Sequence, residues 1–298
     1  MGSVICFANM KGGVGKTTLC VNLAFQLFTE FNKKVLVVDN DPQFNATSAF
    51  LRPDDYIRIC IKKRENHTIY EVYEKPPRIR GAKTAKIDPS KFFLNIWYFT
   101  PNPDIVLDLI PSRIELYETL RNPSQKEYLL EKLLSKHATK YDYILIDCPP
   151  TPSVLTLSAF TASDYALIPV TPDYYATMGL PQFLGTLNDF KENLHDPHNI
   201  TPLGVVFTNV DRRMTQNTRK SMERVTETLS EFPALNIPVF HTKMSHLKIY
   251  EKSLWQSVPV QRIRGKGIRG KGLAIAELSN IAAELQQNIA IRNAAGNK

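Results

Sequence analysis

A doubly wound α/β fold, a single domain with a mostly parallel sheet and helices on both faces, is what these 298 residues predict. Three observations carry that expectation. Short apolar runs rich in β-branched residues recur along the chain, and most are separated by stretches with helical spacing. A glycine-rich turn, "KGGVGK" (11–16), joins the first run to the first such stretch. Strands that alternate with helices imply right-handed crossovers, hence parallel pairing and a sheet covered on both faces.

In chain order, "SVICFAN" (3–9) is short and apolar enough to be a buried strand, and "LCVNLAFQLFTEF" (19–31) has the spacing of a helix. "KVLVVD" (34–39) is the next strand. Residues 52–93 break the pattern; long, charged and punctuated by "KPPRIRGAKTAK" (75–86), they read as a partly mobile insertion. Strands resume with "IVLDLI" (105–110), "YILID" (143–147), "YALIPV" (165–170), "LGVVFTN" (203–209) and "IPVFH" (237–241). Helical spacing recurs in "KEYLLEKLLSKH" (126–137) and "TRKSMERVTETLSEF" (218–232). The acid-free "RIRGKGIRGK" (262–271) contains glycines that oppose a helix, so its five cations are expected on a flexible loop. A final amphipathic helix is expected over 273–290. Leu273, Leu278, Ile281, Leu285 and Ile289 form one stripe there, opposite Glu277 and Glu284. That arrangement suits core packing and not an anionic membrane face. There are no repeats and no long linker.

Composition narrows the class. Apolar residues make up 43% of the chain, ordinary for a protein with a real core. The net charge of +8 is compatible with a polyanionic partner. Cys6, Cys20, Cys60 and Cys148 have no CxxC spacing, which suggests reduced thiols in a cytoplasmic protein. No basic leader precedes the first strand, so a signal peptide is not expected, and no apolar run is long enough to cross a bilayer.

The turn at 11–18 carries the chemistry. Its backbone N–H groups, with the positive end of the following helix, form an anion cradle. Gly12, Gly13 and Gly15 let the chain curl around phosphates, with Val14 and Thr18 completing the wall. Lys16 would reach the terminal phosphates and Thr17 would hold Mg²⁺. The usual phosphate loop has glycine at the place of Met10 and a single lysine; this chain adds Lys11. Asp39 ends a strand and Asp41 lies just past it, at the carboxyl edge where open α/β sheets bind ligands. Asp147 ends another buried strand. The bland readings are a solvated Lys11 and a turn or N-cap role for Asp41.

The spacing Lys-Gly-Gly-Val-Gly-Lys-Thr resembles the deviant Walker A box of the ParA/MinD superfamily of P-loop proteins. "DNDPQFNAT" (39–47) is similar to that family's second acidic box, and "YILIDCPP" (143–150) to its Walker B strand. The resemblance implies ATP and Mg²⁺ as cofactors and an ATPase whose weak intrinsic activity is stimulated by a partner. It implies a sandwich dimer in which Lys11 reaches the phosphates of the partner subunit's ATP. Asp41 would position the attacking water and help order the magnesium shell, Asp147 would hold magnesium through water, and Asp39 would be structural. Asn209 falls where relatives contact adenine, although a strand-end asparagine is common. A cysteine-ligated cluster of the nitrogenase iron protein kind is not expected, since Cys148 has no suitably placed second cysteine.

Within the superfamily the chain is most similar to ParA proper. Such proteins bind DNA without sequence preference, and are released when a ParB-like adaptor stimulates hydrolysis. Candidate phosphate contacts are Arg212, Arg213, Arg219, Lys220, Lys243, Lys248, Lys252, Arg262, Arg264, Lys266, Arg269 and Lys271. The similarity weakens over 52–93 and after about residue 240. The chain opens on the strand before the loop, so an N-terminal helix-turn-helix is not expected. A nucleoid-associated place follows, with plasmid, chromosome origin or protein assembly as cargo. The alternative is a MinD-like, ATP-timed positioning switch on a membrane or protein partner, separable by retention on DNA with ATP but not ADP.

Overall fold

The computed structural model describes residues 2–62, 67–74, 88–96, 102, 104–174, 176–193, 200–265 and 268–296. Its frame is a seven-stranded sheet with the order β3-β4-β2-β5-β1-β6-β7. The strands are β1 (Ser3–Phe7), β2 (Val35–Asp39), β3 (Leu94–Asn95), β4 (Leu107–Ile110), β5 (Tyr143–Asp147), β6 (Tyr165–Val170) and β7 (Thr201–Phe207). All pair in parallel except β3, a short antiparallel edge strand on β4. The helices are α1 (Lys16–Thr29), α2 (Asn45–Phe50), α3 (Pro53–Tyr56), α4 (Tyr70–Tyr73), α5 (Tyr117–Arg121), α6 (Leu129–Leu134), α7 (Val154–Thr161), α8 (Ala176–Asn193), α9 (Gln216–Ser230), α10 (Lys248–Trp255) and α11 (Lys271–Gly296).

Alternation along the strands builds two cores. On β1, Val4 and Cys6 face one layer with α7, α8 and α9; Ile5 and Phe7 face the other, with α1, α10 and α11. α1 is covered on nearly all sides, by the sheet and by α11. Its two buried amides are satisfied: Asn22 Oδ1 accepts from the Val260 N–H at 2.9 Å, and Gln26 Oε1 accepts from Gln261 Nε2 at 2.5 Å. Register then fixes the site. Phe7 and Asp39 both pair with Asp147, so the loop after β1 and the two strand-end aspartates meet at one level of the carboxyl edge.

Several expectations change. Segment 237–241 is no strand; it makes one bridge, Val239 to Val205, with Phe240 N–H donating to the Val205 carbonyl at 2.8 Å. The described parts of 52–93 are not peripheral, because Cys60, Ile69, Tyr73 and Phe92 enter the cores. Residues 75–87 lie outside the described residues. The last helix starts at Lys271, two residues before the expected start, and runs to Gly296. Its stripe is buried as expected at Leu278, Ile281, Leu285 and Ile289, while Leu273 is half-buried. Glu277 and Glu284 do more than face solvent. Glu284 accepts from the His241 and Thr242 N–H groups at 2.7 and 3.2 Å, and Glu277 from Ser245 N–H and Oγ–H at 3.0 and 2.5 Å. α11 thereby clamps the chain that leads into α10.

Candidate functional site

Gly13 and Gly15 adopt left-handed backbone, with φ of 74° and 79°. A Cβ at Gly12 or Gly13 would meet nothing within 4 Å, so these positions edge an open cleft. α1 begins at Lys16 with no side-chain cap and no acid in its first turn, which leaves its first N–H groups turned toward an anion. The end of β7 braces the loop: Thr208 Oγ1 donates to the Val14 carbonyl at 2.7 Å, and Asn209 Nδ2 to the Gly13 carbonyl at 3.3 Å. Lys16 is buried, and its ammonium donates to the Lys11 carbonyl at 3.0 Å. Burial lowers its pKa, while Asp147 and Asp41 pull it back up. The cleft measures about 360 Å³ and is lined by Gly12 to Thr18 and Asp41. Asn209, Met244, Tyr250 and Leu254 also line it.

Three carboxylates stand behind the loop with different duties. Asp39 is fully buried and structural: Oδ2 accepts from Thr47 N–H and Oγ1–H, both at 2.7 Å. Asp41 Oδ1 accepts a turn contact from Gln43 N–H at 2.9 Å. Ser112 Oγ donates to the Asp41 carbonyl at 2.7 Å and so fixes the backbone of that turn. Asp147 Oδ2 accepts from Thr17 Oγ1 at 2.6 Å, and its Oδ1 is buried with no partner among the described residues. Burial pushes Asp39 up to about 7, raises Asp41, and raises Asp147 strongly, with Asp39 adding to the shift at Asp147. A hydrated divalent cation between Thr17, Asp147 and a phosphate would satisfy Oδ1 and offset that cost. Among the described residues no three Asp, Glu, His or Cys groups converge as a protein-only cage. The set therefore fits a cation carried with phosphate and water.

Lys11 does not enter this cleft. Its ammonium lies on Asp173, at 2.6 and 2.5 Å from the two carboxylate oxygens, and 3.2 Å from Thr171 Oγ1. Its own N–H donates to Asn9 Oδ1 at 3.0 Å, and Asn9 Nδ2 donates to the Pro169 carbonyl at 2.8 Å. Motif reading missed Tyr250 and Leu254 in the cleft and Thr208 behind its loop, as well as Asn9, Thr171 and Asp173, which hold Lys11 outside it. Asp173 carried the same signal that identified Asp41, an acid just beyond a strand end.

The basic candidates separate. Arg212 and Arg213 sit on the β7–α9 turn, and Arg219 and Lys220 in the first turns of α9, all exposed. Lys248 and Lys252 are exposed on α10, and Lys243 is half-buried before it. Arg262, Arg264 and Arg269 are exposed, and Lys266 lies outside the described residues. Lys271 is a correction: it is the first residue of α11, and its ammonium donates to the Ile263 carbonyl at 2.9 Å. The glycines, at φ of 136° for Gly265 and 83° for Gly270, form turns that lead into that helix. All four cysteines are buried and free.

The sequence matches the family described as AAA domain over residues 2–200. It is 36% identical over 214 residues to the chromosome partitioning protein ParA of Myxococcus xanthus, covering 72% of this chain and 67% of that one. It is 36% identical over 217 residues to the sporulation initiation inhibitor protein Soj of Bacillus subtilis, covering 72% and 75%. Among solved structures it resembles pNOB8 ParA bound to nonspecific DNA, with a TM-score of 0.67 and 22% identity over 97% and 99% of the two chains.

Proposed function

The chain belongs to the ParA family of P-loop, ATP-binding proteins, and from that premise we propose that it is an ATPase that dimerises around two nucleotides, holds DNA without sequence preference in that state, and lets go when a ParB-like partner stimulates hydrolysis. Its cargo would be a plasmid, a chromosome origin or a protein assembly, moved along the nucleoid in the cytoplasm. The observation that carries this reading is the division of labour between the lysines. Lys16 serves the cleft of its own chain, while Lys11 lies at the rim on another element. From there it would meet a terminal phosphate on a facing copy.

Bound ATP and magnesium supply the phosphoanhydride and the charge compensation that phosphoryl transfer needs. The glycine turn and the start of α1 would hold the phosphates by backbone N–H groups. Thr17 and Asp147 would hold the cation, the latter through water. Asp41, held by a turn contact and open to the cleft, would orient and accept a hydrogen bond from the attacking water. Asn209, Met244, Tyr250 and Leu254 line the cleft where the base would lie. DNA binding is supported by the +8 charge and by the exposed cations around α10. The membrane alternative gains nothing from α11, whose apolar stripe is in the core, and no described helix is long and apolar enough to cross a membrane.

Sedimentation with ATP or ADP, with and without DNA, tests this. A dimer retained on DNA should form with ATP alone. Lys11→Ala should bind ATP as a monomer. A stable ATP-dependent dimer of that variant would remove Lys11 from the interface.

A further inference from the structure

The Lys11–Asp173 contact joins the phosphate loop to the turn between β6 and α8, residues 162 apart in sequence. Asp173 is held there independently of the lysine. Its N–H donates to the Thr171 carbonyl at 2.9 Å, and its Oδ2 accepts from Thr171 Oγ1 at 2.8 Å. Thr171 itself is buried at the end of β6. The lysine backbone is fixed too, through Asn9 to the Pro169 carbonyl. Both ends of the contact are thus anchored to β6, and the element left to move is the Lys11 side chain. The pair is partly open, with side chains 25% and 43% exposed, so a competing anion can reach it. Lys16 bears on the same residue, because its ammonium donates to the Lys11 carbonyl.

We propose that Asp173 is the positioning residue for Lys11. It parks the ammonium on the monomer, aimed along the rim, and must be exchanged for a phosphate of the facing copy when two chains close. The proposal rests on the reading of Lys11 as a contact across the dimer. Its consequence has a definite sign. The carboxylate opposes dimerisation by holding the lysine. Two such pairs break per dimer. Their exposure keeps each one weak, so removing both should matter by about tenfold and no more.

Asp173→Asn keeps the shape and removes the charge. With ATP, it should dimerise at about tenfold lower protein concentration than native by sedimentation, while ATP affinity of the monomer stays within about twofold. Asp173→Glu should return the threshold toward native, which a merely structural role would not do. In a Lys11→Ala background the asparagine should have no effect. An Asp173→Asn threshold equal to or above native, with Lys11→Ala monomeric, overturns the proposal alone. Dimerisation by Lys11→Ala overturns the reading of Lys11, and the proposal with it.

Discussion

At the scale of single residues, Asp41 and Asp147 share a strand edge but not a task. Asp147 is tied to Thr17, and its other oxygen has no partner among the described residues; Asp41 has a turn contact and an opening to the cleft. Asp41→Ala should therefore keep ATP affinity yet hydrolyse about a hundredfold more slowly, accumulating as a dimer, because what it loses is the positioning of water. Single-turnover hydrolysis decides it; native turnover would clear Asp41 of that role. The same carboxylates make a pH prediction. Their folded-state pKa values are raised, to about 7 at Asp39, so ionising them costs the nucleotide-free fold stability as pH climbs from about 4 toward that value. A divalent cation favours the ionised forms and reverses the sign. The gain in melting temperature on adding magnesium to the ADP-bound protein should be small near pH 5 and larger near pH 7.5. A magnesium increment that does not change with pH would argue against cation binding at this cluster.

At the scale of elements, β7 shows how a contact remote in sequence governs a strand. Gly204 has φ of 149°, and a Cβ there would lie 2.8 Å from the Phe240 ring and the Pro238 carbonyl. Gly204→Ala should cost about 2–4 kcal/mol, overpacking and backbone strain combined, measured by urea denaturation. A cost within a few tenths would mean that segment 238–240 yields easily. The core strands were legible because β1, β2, β5 and β6 are buried on both faces and read as continuous apolar runs. The phosphate loop was legible because its glycines and lysine are contiguous. What stayed hidden depends on partners far along the chain. The pairing of Asp173 with Lys11 spans 162 residues, and that of Glu277 with Ser245 spans 32. α8 was obscured by Gly179, Pro181 and Gly185 within its span. The 237–241 run failed as a strand because one edge bridge, not a ladder, is all that β7 offers it.

At the scale of the whole molecule, two local contacts bring basic segments toward α10. A bridge between Val210 and Ser245 sets the Arg212–Arg213 turn beside the approach to α10. A Cβ on Gly265 would lie 3.9 Å from the Lys252 ammonium, so Gly265 and α10 share a surface. α10 also turns Tyr250 and Leu254 into the cleft, so one helix touches both the nucleotide cleft and the basic face. That shared helix is a physical route by which ATP could alter DNA affinity. Arg262, Arg264 and Arg269 are exposed there, and Lys271 opens α11 with its ammonium on the Ile263 carbonyl. Changing those three arginines to alanine should weaken DNA binding alike for all sequences. It should also flatten the log–log salt dependence by about 0.9 for each phosphate that is no longer neutralised. ATP binding and dimerisation should persist, since none of the three lines the cleft. The measurement is DNA affinity of the ATP-bound dimer across a salt series, beside a second variant lacking Arg212, Arg213, Arg219 and Lys220. If the first variant keeps the native slope and the second flattens it, DNA lies along α9 instead, and α10 no longer links nucleotide to DNA.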